Sequence, residues 1–368
     1  MVLFDFLDLN LLVQKYKYFH LDRIKSYYLR DGETISFDDD EPYMMNNAIS
    51  SKFYVAGPCH AAVTDGSYFL ALNEYDGVAP YDPSVDIVFY CNERVGLMNE
   101  NYDKYSPDSI RKSFPNAVIV AKIKEIPPHF NSGVYHLSPG ESPHRQIREE
   151  RPSNRIRFFN ECDYATVGAI EGSAFCNIPY FQELRGNLNK ELVCIPGPVN
   201  VDYLFENYYT NEKSNSIFSY APTVHGRRGE TLKFANYIGE KYGLTVHTKP
   251  LNVGTLAGQN NMPGSDFLDL WTPHLYTFNL DPLEIQPGWH CKQVASVGSI
   301  NIGGVNESHG YLYPNTANCD WDKLEDVFVK YLEDENLRFS VIENAWKEVN
   351  DVFSFVAVTK QIKEKFLA

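Results

Sequence analysis

The stretch that most limits how this chain can fold is SVDIVFYCNERV, residues 84–95. A continuous apolar run with a polar exit fits a strand buried on both faces, and such strands belong to parallel sheets covered by helices. YFLALNEY (68–75) and NAVIVAKIKEI (116–126) read the same way, and KFYVAGPCHAAV (52–63) is strand-like up to Gly57-Pro58. Between the runs at 84–95 and 116–126, DSIRKSF (108–114) reads as a short helix opened at Pro107-Asp108. Strand, helix, strand predicts an α/β layer with a parallel sheet.

The remaining chain extends this pattern. Residues 21–29 have helical spacing and stop at Asp31-Gly32, and DDDEP (38–42) reads as a surface loop. Residues 127–154, with several Pro, Ser and Gly, read as a long loop, and 156–170 resumes a strand pattern ending beyond Asp163. Residues 191–208 read as strand, turn and short helix, and the polar NEKSN (211–215) marks a domain boundary. The second half alternates again. A strand (216–222) leads through the loop TVHGRRG to a helix (230–243), on which Leu232, Ala235, Ile238 and Tyr242 share a face before Gly243. Strands follow at 244–251 and 271–280, then an amphipathic helix at 322–334 and one long or broken helix over 338–366.

Residues 287–304, PGWHCKQVASVGSINIGG, carry the clearest functional signal. Pro-Gly turns the chain, 289–297 predicts a helix, Gly298 stops it, Ile300-Asn301-Ile302 predicts a short buried strand, and Gly303-Gly304 breaks it. A helix N-terminus opening on a glycine turn attracts anions, because its free N–H groups point outward and its dipole is positive there.

Composition narrows the classes. The 368 residues suggest two domains, and 25 Tyr and 23 Phe are ample for buried cores. No apolar run is long enough to predict a membrane span, and the start, MVLFDFLDLNLLV, lacks the basic region of a signal peptide. Seven scattered Cys with no CxxC fit reduced thiols and a cytoplasmic location. A net charge of −15 opposes nucleic-acid binding unless a basic patch exists, and the nearest, RQIREERPSNRIR (145–157), is interrupted by two Glu.

Several segments in order resemble the GT-B fold glycosyltransferases. CIPGPVNVDYLF (194–205) resembles the run that closes their first domain. Residues 219–246 resemble the strand, basic loop and helix that open their donor domain. The 287–304 stretch resembles their G-x4-E-A-x-A-x-G-x-P-x-I-G run, with Gly288, Ala295, Gly298, Ile302 and Gly303 at matching spacing. The helices from Asp322 onward resemble the closing helices. The likeness spans about residues 155–368. It implies two doubly wound Rossmann-like domains facing across a cleft: an acceptor-side domain over 1–212, a donor domain over 213–345, and a terminal helix over 346–368 crossing back to the first. Three positions depart from the family pattern. Gln293 stands where a Glu holds the ribose hydroxyls, Ile285 where retaining members carry a second Glu, and Thr223 where the basic loop has Arg.

The resemblance implies transfer of a hexose or pentose from a UDP- or GDP-sugar to an acceptor hydroxyl, without a cofactor. The leaving diphosphate needs cations or N–H groups. Arg227 and Arg228 suit this through the guanidinium fork, and Lys292 and the N–H groups after Gly288 suit it too. Gln293 can hydrogen-bond a hydroxyl, and the loop Asn306, Glu307, Ser308 and His309 would line the donor side. An acceptor hydroxyl needs a base. His60 is the first choice and Asp65 the second, because both flank a strand exit in GPCHAAVTDG. HxH and HExxH are absent and DDD (38–40) lies in a loop, so metal-independent transfer is expected, as the resemblance also implies, with no metal ligands to name. Other readings stay open: a transferase acting on modified bases of viral-type DNA, a sugar-nucleotide 2-epimerase, and an inactive sugar-binding scaffold.

Overall fold

The computed structural model describes residues 27–30, 33–36, 67–71, 83, 87–91, 106–123, 152–173, 176, 182, 185–199, 201–210, 212–221, 229–248, 264–281 and 289–366. The chain divides into two units, one holding Pro198–Ala357, the other holding the described residues before it and those from Val358 onward. Residues 198–212 and 346–357 therefore fall in the same unit as residues 213–345.

In the first of these in chain order, β1 (Tyr27–Arg30) and β2 (Glu33–Ser36) pair antiparallel, Arg30 opposite Glu33. Residues 27–29 were expected in a helix. Instead Asp31-Gly32 connects the two strands, and Asp-Gly between aromatic or β-branched runs is a strong hairpin signal that outweighs the short helical period. Five parallel strands form the main sheet in chain order: β3 (Ser67–Ala71), β4 (Ile87–Cys91), β5 (Val118–Ile123), β6 (Tyr164–Val167) and β7 (Leu192–Cys194). The apolar run of 84–95 supplies β4, which is paired on both edges. The strand-like run at 52–63 lies outside the described residues.

Helix α1 (Pro107–Ser113) starts where Ser106 Oγ accepts from Ser109 N at 3.3 Å. Pro at its first position loses no helical hydrogen bond, and Asp108 faces the positive end of the helix dipole. Asp163 clips this layer together: Oδ2 accepts from Ile119 N at 2.7 Å and Oδ1 lies 2.8 Å from Arg111. Helix α2 (Pro152–Glu161) corrects the strand reading of 156–161. Phe158 and Cys162 are buried four residues apart, and Arg157 pairs with Glu161 at 2.7 Å across one turn, so a period of 3.6 overrides the local apolar run.

The second unit has the strand order β11-β10-β8-β9, all parallel, with β8 (Ser214–Ser219), β9 (Val246–Thr248), β10 (His274–Phe278) and β11 (Ile300–Ile302). Helices α3 (Val201–Tyr208), α4 (Gly229–Tyr242), α5 (Gly264–Trp271), α6 (Trp289–Ser296), α7 (Glu307–Leu312), α8 (Trp321–Glu333) and α9 (Glu335–Glu348) surround it. Trp271, expected to open a strand, closes α5, and the strand begins beyond Pro273. On one face Phe278 meets Phe234 of α4 at 5.5 Å and Phe328 of α8 at 5.6 Å, all three fully buried. Each such ring removes enough apolar surface to contribute about 2–3 kcal/mol. On the other face Trp271 of α5 meets His290 of α6 at 5.1 Å.

The helical run at 338–366 is broken. A π turn (Val349–Phe353) follows α9, and Ser354 takes an extended backbone before α10 (Phe355–Phe366). Ser354 Oγ donates to Asn350 O at 2.6 Å and accepts from Ala357 N at 3.2 Å, so one serine closes one helix and caps the next. The end of α10 belongs to the other unit, where Phe366 packs on Tyr164 at 5.1 Å and Lys365 pairs with Glu171 at 2.9 Å.

Candidate functional site

In the second unit the strand order reverses between β8 and β10. The chain leaves β8 for β9 on one side and later for β10 and β11 on the other. Open α/β sheets bind ligands at the carboxyl ends of strands beside such a reversal, where successive loops part. Tyr220 leaves β8 there, and Asn279, Leu280 and Asp281 leave β10.

Two helix N-termini belong to this edge. Gly229 opens α4, and Thr231 Oγ1 accepts from Leu280 N at 2.9 Å, which fixes the first turn of α4 against the exit of β10. The Arg227-Arg228 pair directly precedes this turn in the chain, and both arginines lie outside the described residues. Helix α6 opens at Trp289, one residue after Gly288, which also lies outside them. His290 in its first turn meets Tyr220, with ring centroids 4.4 Å apart and the rings tilted by 37°.

Within α6, Lys292 is 1% exposed, and its ammonium lies 4.6 Å from the ring centroid of Phe353 in the π turn. An aromatic face attracts a desolvated cation, by about 2 kcal/mol in such settings. Gln293 is buried as well. The helix stops at Gly298, whose φ of 71° only glycine adopts freely, and β11 follows at once.

After β11, Gly303 and Gly304 have φ of 87° and 95°. A Cβ on Gly303 would fall 2.5 Å from Leu280 Cδ1, and one on Gly304 would fall 2.8 Å from the Asn279 carbonyl oxygen. The glycine pair thus lets the β11 exit close directly onto the β10 exit. Gly303 N donates to Thr316 O, Gly304 N to Asn318 O, and Val305 N to Asp281 O.

Asn306 ends this turn and caps α7: its Oδ1 accepts from His309 N at 2.9 Å, and Cys291 of α6 lies 3.9 Å from the same oxygen. Ser308 and His309 are buried, and Glu307 is half-buried. Asn306 and His309 are thus held in the packing of α7. His309 joins a buried chain of hydrogen bonds. Thr277 Oγ1 donates to Asn301 Oδ1 at 2.9 Å, and Asn301 Nδ2 donates to His309 Nδ1 at 2.7 Å. His309 Nε2–H then donates to Thr316 Oγ1 at 3.1 Å, which donates to Asn301 O at 2.8 Å. Burial holds His309 neutral, its pKa pushed down to about 3. This network explains how a polar Asn sits in the middle of a buried strand.

Of the donor-side residues singled out in the sequence, the described ones, Lys292, Gln293, Asn306, Glu307, Ser308 and His309, all lie on α6 or in the first turn of α7, which pack together. His60 and Asp65 lie outside the described residues. Asn279 and Asp281, buried at the β10 exit, and the Thr277–Asn301–Thr316 network carry no signal in the sequence. Among the described residues no group of three or more His, Cys, Asp or Glu is arranged to hold a metal ion. No described helix is long and apolar enough to cross a membrane.

No family model matches the sequence, and no curated protein sequence matches it. Solved structures do. An alpha-glucosyltransferase in complex with UDP is 11% identical, with a TM-score of 0.50 over 77% of this chain and 81% of that one. An alpha-glucosyltransferase in complex with UDP and a 13-mer DNA containing an HMU base is also 11% identical at TM-score 0.50, over 76% and 79%. Anabaena HepE in complex with UDP and glucose is 11% identical at TM-score 0.48, over 76% of this chain and 77% of that one. At such identities the likeness speaks to architecture, and the fold is that of the GT-B glycosyltransferases.

Proposed function

We propose that the protein is a glycosyltransferase that moves a sugar from a nucleoside-diphosphate sugar to an acceptor hydroxyl. The observation that carries this reading is the edge of the second sheet. Its strand order reverses at β8 and β10, and the first turns of α4 and α6 belong to that edge. Within a GT-B fold that edge suits a nucleotide diphosphate. In the transfer, the bond from the sugar's anomeric carbon to the diphosphate oxygen breaks, and the oxygen keeps the electron pair. A bond from the acceptor oxygen to that carbon forms, and the hydroxyl proton passes to a base. N–H groups and cations at the diphosphate stabilise the charge that develops there. Arg227, Arg228, Lys292 and the N–H groups after Gly288 take that role in this reading. Gln293 and Glu307 serve the donor's hydroxyls, and His60, or else Asp65, is the base. The donor is a UDP- or GDP-sugar, the sugar a hexose or pentose, and transfer proceeds without a metal, a reading that rests on the family resemblance and on the absence of HxH and HExxH in the sequence.

A thermal-shift panel of nucleotide sugars tests the reading, followed by release of free UDP or GDP from whichever donor binds. Arg228→Ala is expected to weaken the whole nucleoside-diphosphate series, roughly tenfold or more, since a charge-assisted bond is worth about 1.5–3 kcal/mol. Unchanged affinity would remove Arg228 from the site, and a panel with no binder at all would remove the reading.

A second acceptor class follows from the likeness to an alpha-glucosyltransferase solved with a 13-mer DNA containing an HMU base. The acceptor hydroxyl would then sit on a modified DNA base. The net charge of −15 works against non-specific DNA binding, so retention on such DNA at moderate salt, absent on unmodified DNA, separates this from a glycan or small-molecule acceptor.

A further inference from the structure

Asn279 stands immediately after β10, and its backbone continues the ladder by donating to Ile302 O at 2.9 Å. Side chains alternate along a strand. Phe278 points at α4 and α8, so Thr277 and Asn279 share the opposite face, the one on which Asn301 bonds His309 of α7. Asn279 is 6% exposed, and its side-chain oxygen is buried without a hydrogen-bond partner. Its neighbour on the same face, Thr277, is satisfied by Asn301. Native proteins rarely leave a buried acceptor unmatched, and each one needs a reason. The position supplies one: it is the strand exit at the reversal of strand order, with Tyr220 leaving β8 on one side and Gly303 leaving β11 on the other.

A carbonyl oxygen cannot accept from a diphosphate, which itself offers only acceptors. The groups joined directly to the diphosphate are the ribose and the transferred sugar, and both carry hydroxyls. We propose that Asn279 is a specificity-determining residue of the donor site, its side-chain oxygen accepting a hydrogen bond from a sugar hydroxyl of the nucleotide sugar. This assignment rests on the donor reading above.

Titration calorimetry with UDP, UDP-glucose, GDP and GDP-mannose on the wild type and Asn279→Ala tests it, with an apo melt of each. Asn279→Ser stands in if the alanine variant does not fold. The variant should bind roughly tenfold more weakly while its apo protein melts no lower, because the substitution removes an unmatched acceptor. Weakening of the nucleoside diphosphate and its sugar alike assigns the hydroxyl to the ribose. Weakening of the nucleotide sugar alone assigns it to the transferred sugar. Affinities within twofold of wild type overturn the assignment and leave the donor reading standing. A lowered apo melt with every ligand weakened marks a packing role and also overturns it. A wild type that binds none of the four ligands removes the donor reading and this assignment together.

Discussion

Gly304→Ala is expected to lower the melting transition of its unit by roughly 10 °C, a loss of about 3 kcal/mol. Two costs combine. The residue holds φ at 95°, where an L side chain is strained, and its Cβ would stand 2.8 Å from the Asn279 carbonyl oxygen. That oxygen is main chain in a laddered strand exit, so it cannot turn aside as a flexible side chain would. The next contacts, His309 Nδ1 at 3.3 Å and Asn306 Nδ2 at 3.6 Å, belong to the hydrogen-bonded groups that hold α7. Gly310, six residues on in α7, supplies the control: a Cβ there meets nothing within 4 Å. Gly310→Ala should leave the transition in place or raise it slightly, by about 0.5–1 kcal/mol, through helix propensity. Equal melts for the two variants in calorimetry would refute the account of the glycine turn.

The second large effect is on acid stability. Burial pushes the His309 pKa down to about 3, far below the ordinary 6.5. The folded protein therefore binds fewer protons at this site than the unfolded chain between those values. The contribution is intact above pH 6.5 and is lost as pH falls towards 3. At pH 4.5 the loss is on the order of 3 kcal/mol for this residue alone. His274 adds a smaller share in the same direction. Burial first, then the neighbouring His247, with Lys213 adding to the repulsion, lowers its pKa to about 4, against a bond to the Leu270 carbonyl that raises it. Its Nδ1 lies 2.6 Å from Ser216 Oγ. Urea unfolding between pH 7 and pH 4.5 measures the slope. His309→Asn should flatten it by close to one proton, and a slope shared by the variant and the wild type would exclude His309 as the cause.

How far the sequence could be read depended on the length scale of the cause. The apolar run of β4 and the face of α4 are set by neighbours in the chain, and both elements stand where periodicity puts them. The helix–glycine–strand–glycine order of 289–304 is local too, because each stop is a glycine whose φ the structure bears out at Gly298, Gly303 and Gly304. The errors arose where local signals competed. Phe158-Phe159 imitates a strand, but Arg157 and Glu161 bridge a helical turn. Residues 27–29, at the end of the stretch with helical spacing, pair as a strand with residues 34–36. In the site, Gln293 and Lys292 could be noted from spacing, whereas their burial depends on what packs on α6. Asn279 drew no notice because a polar residue after a strand is ordinary. Its unmatched oxygen becomes visible only once β8, β10 and β11 are assembled. The same holds for Thr277, Asn301, His309 and Thr316, which come from two strands, a helix and a short 3-10 turn (Pro314–Thr316).

The return of α10 bears on how the protein is made. Phe366 on Tyr164 and Lys365 on Glu171 belong to the unit whose sheet is built from residues 67–194. A ribosome releases those strands long before residues 358–366 exist as chain. That sheet is therefore synthesised before the helix end that packs on it exists, and during translation the ring of Tyr164 waits for a partner about two hundred residues downstream.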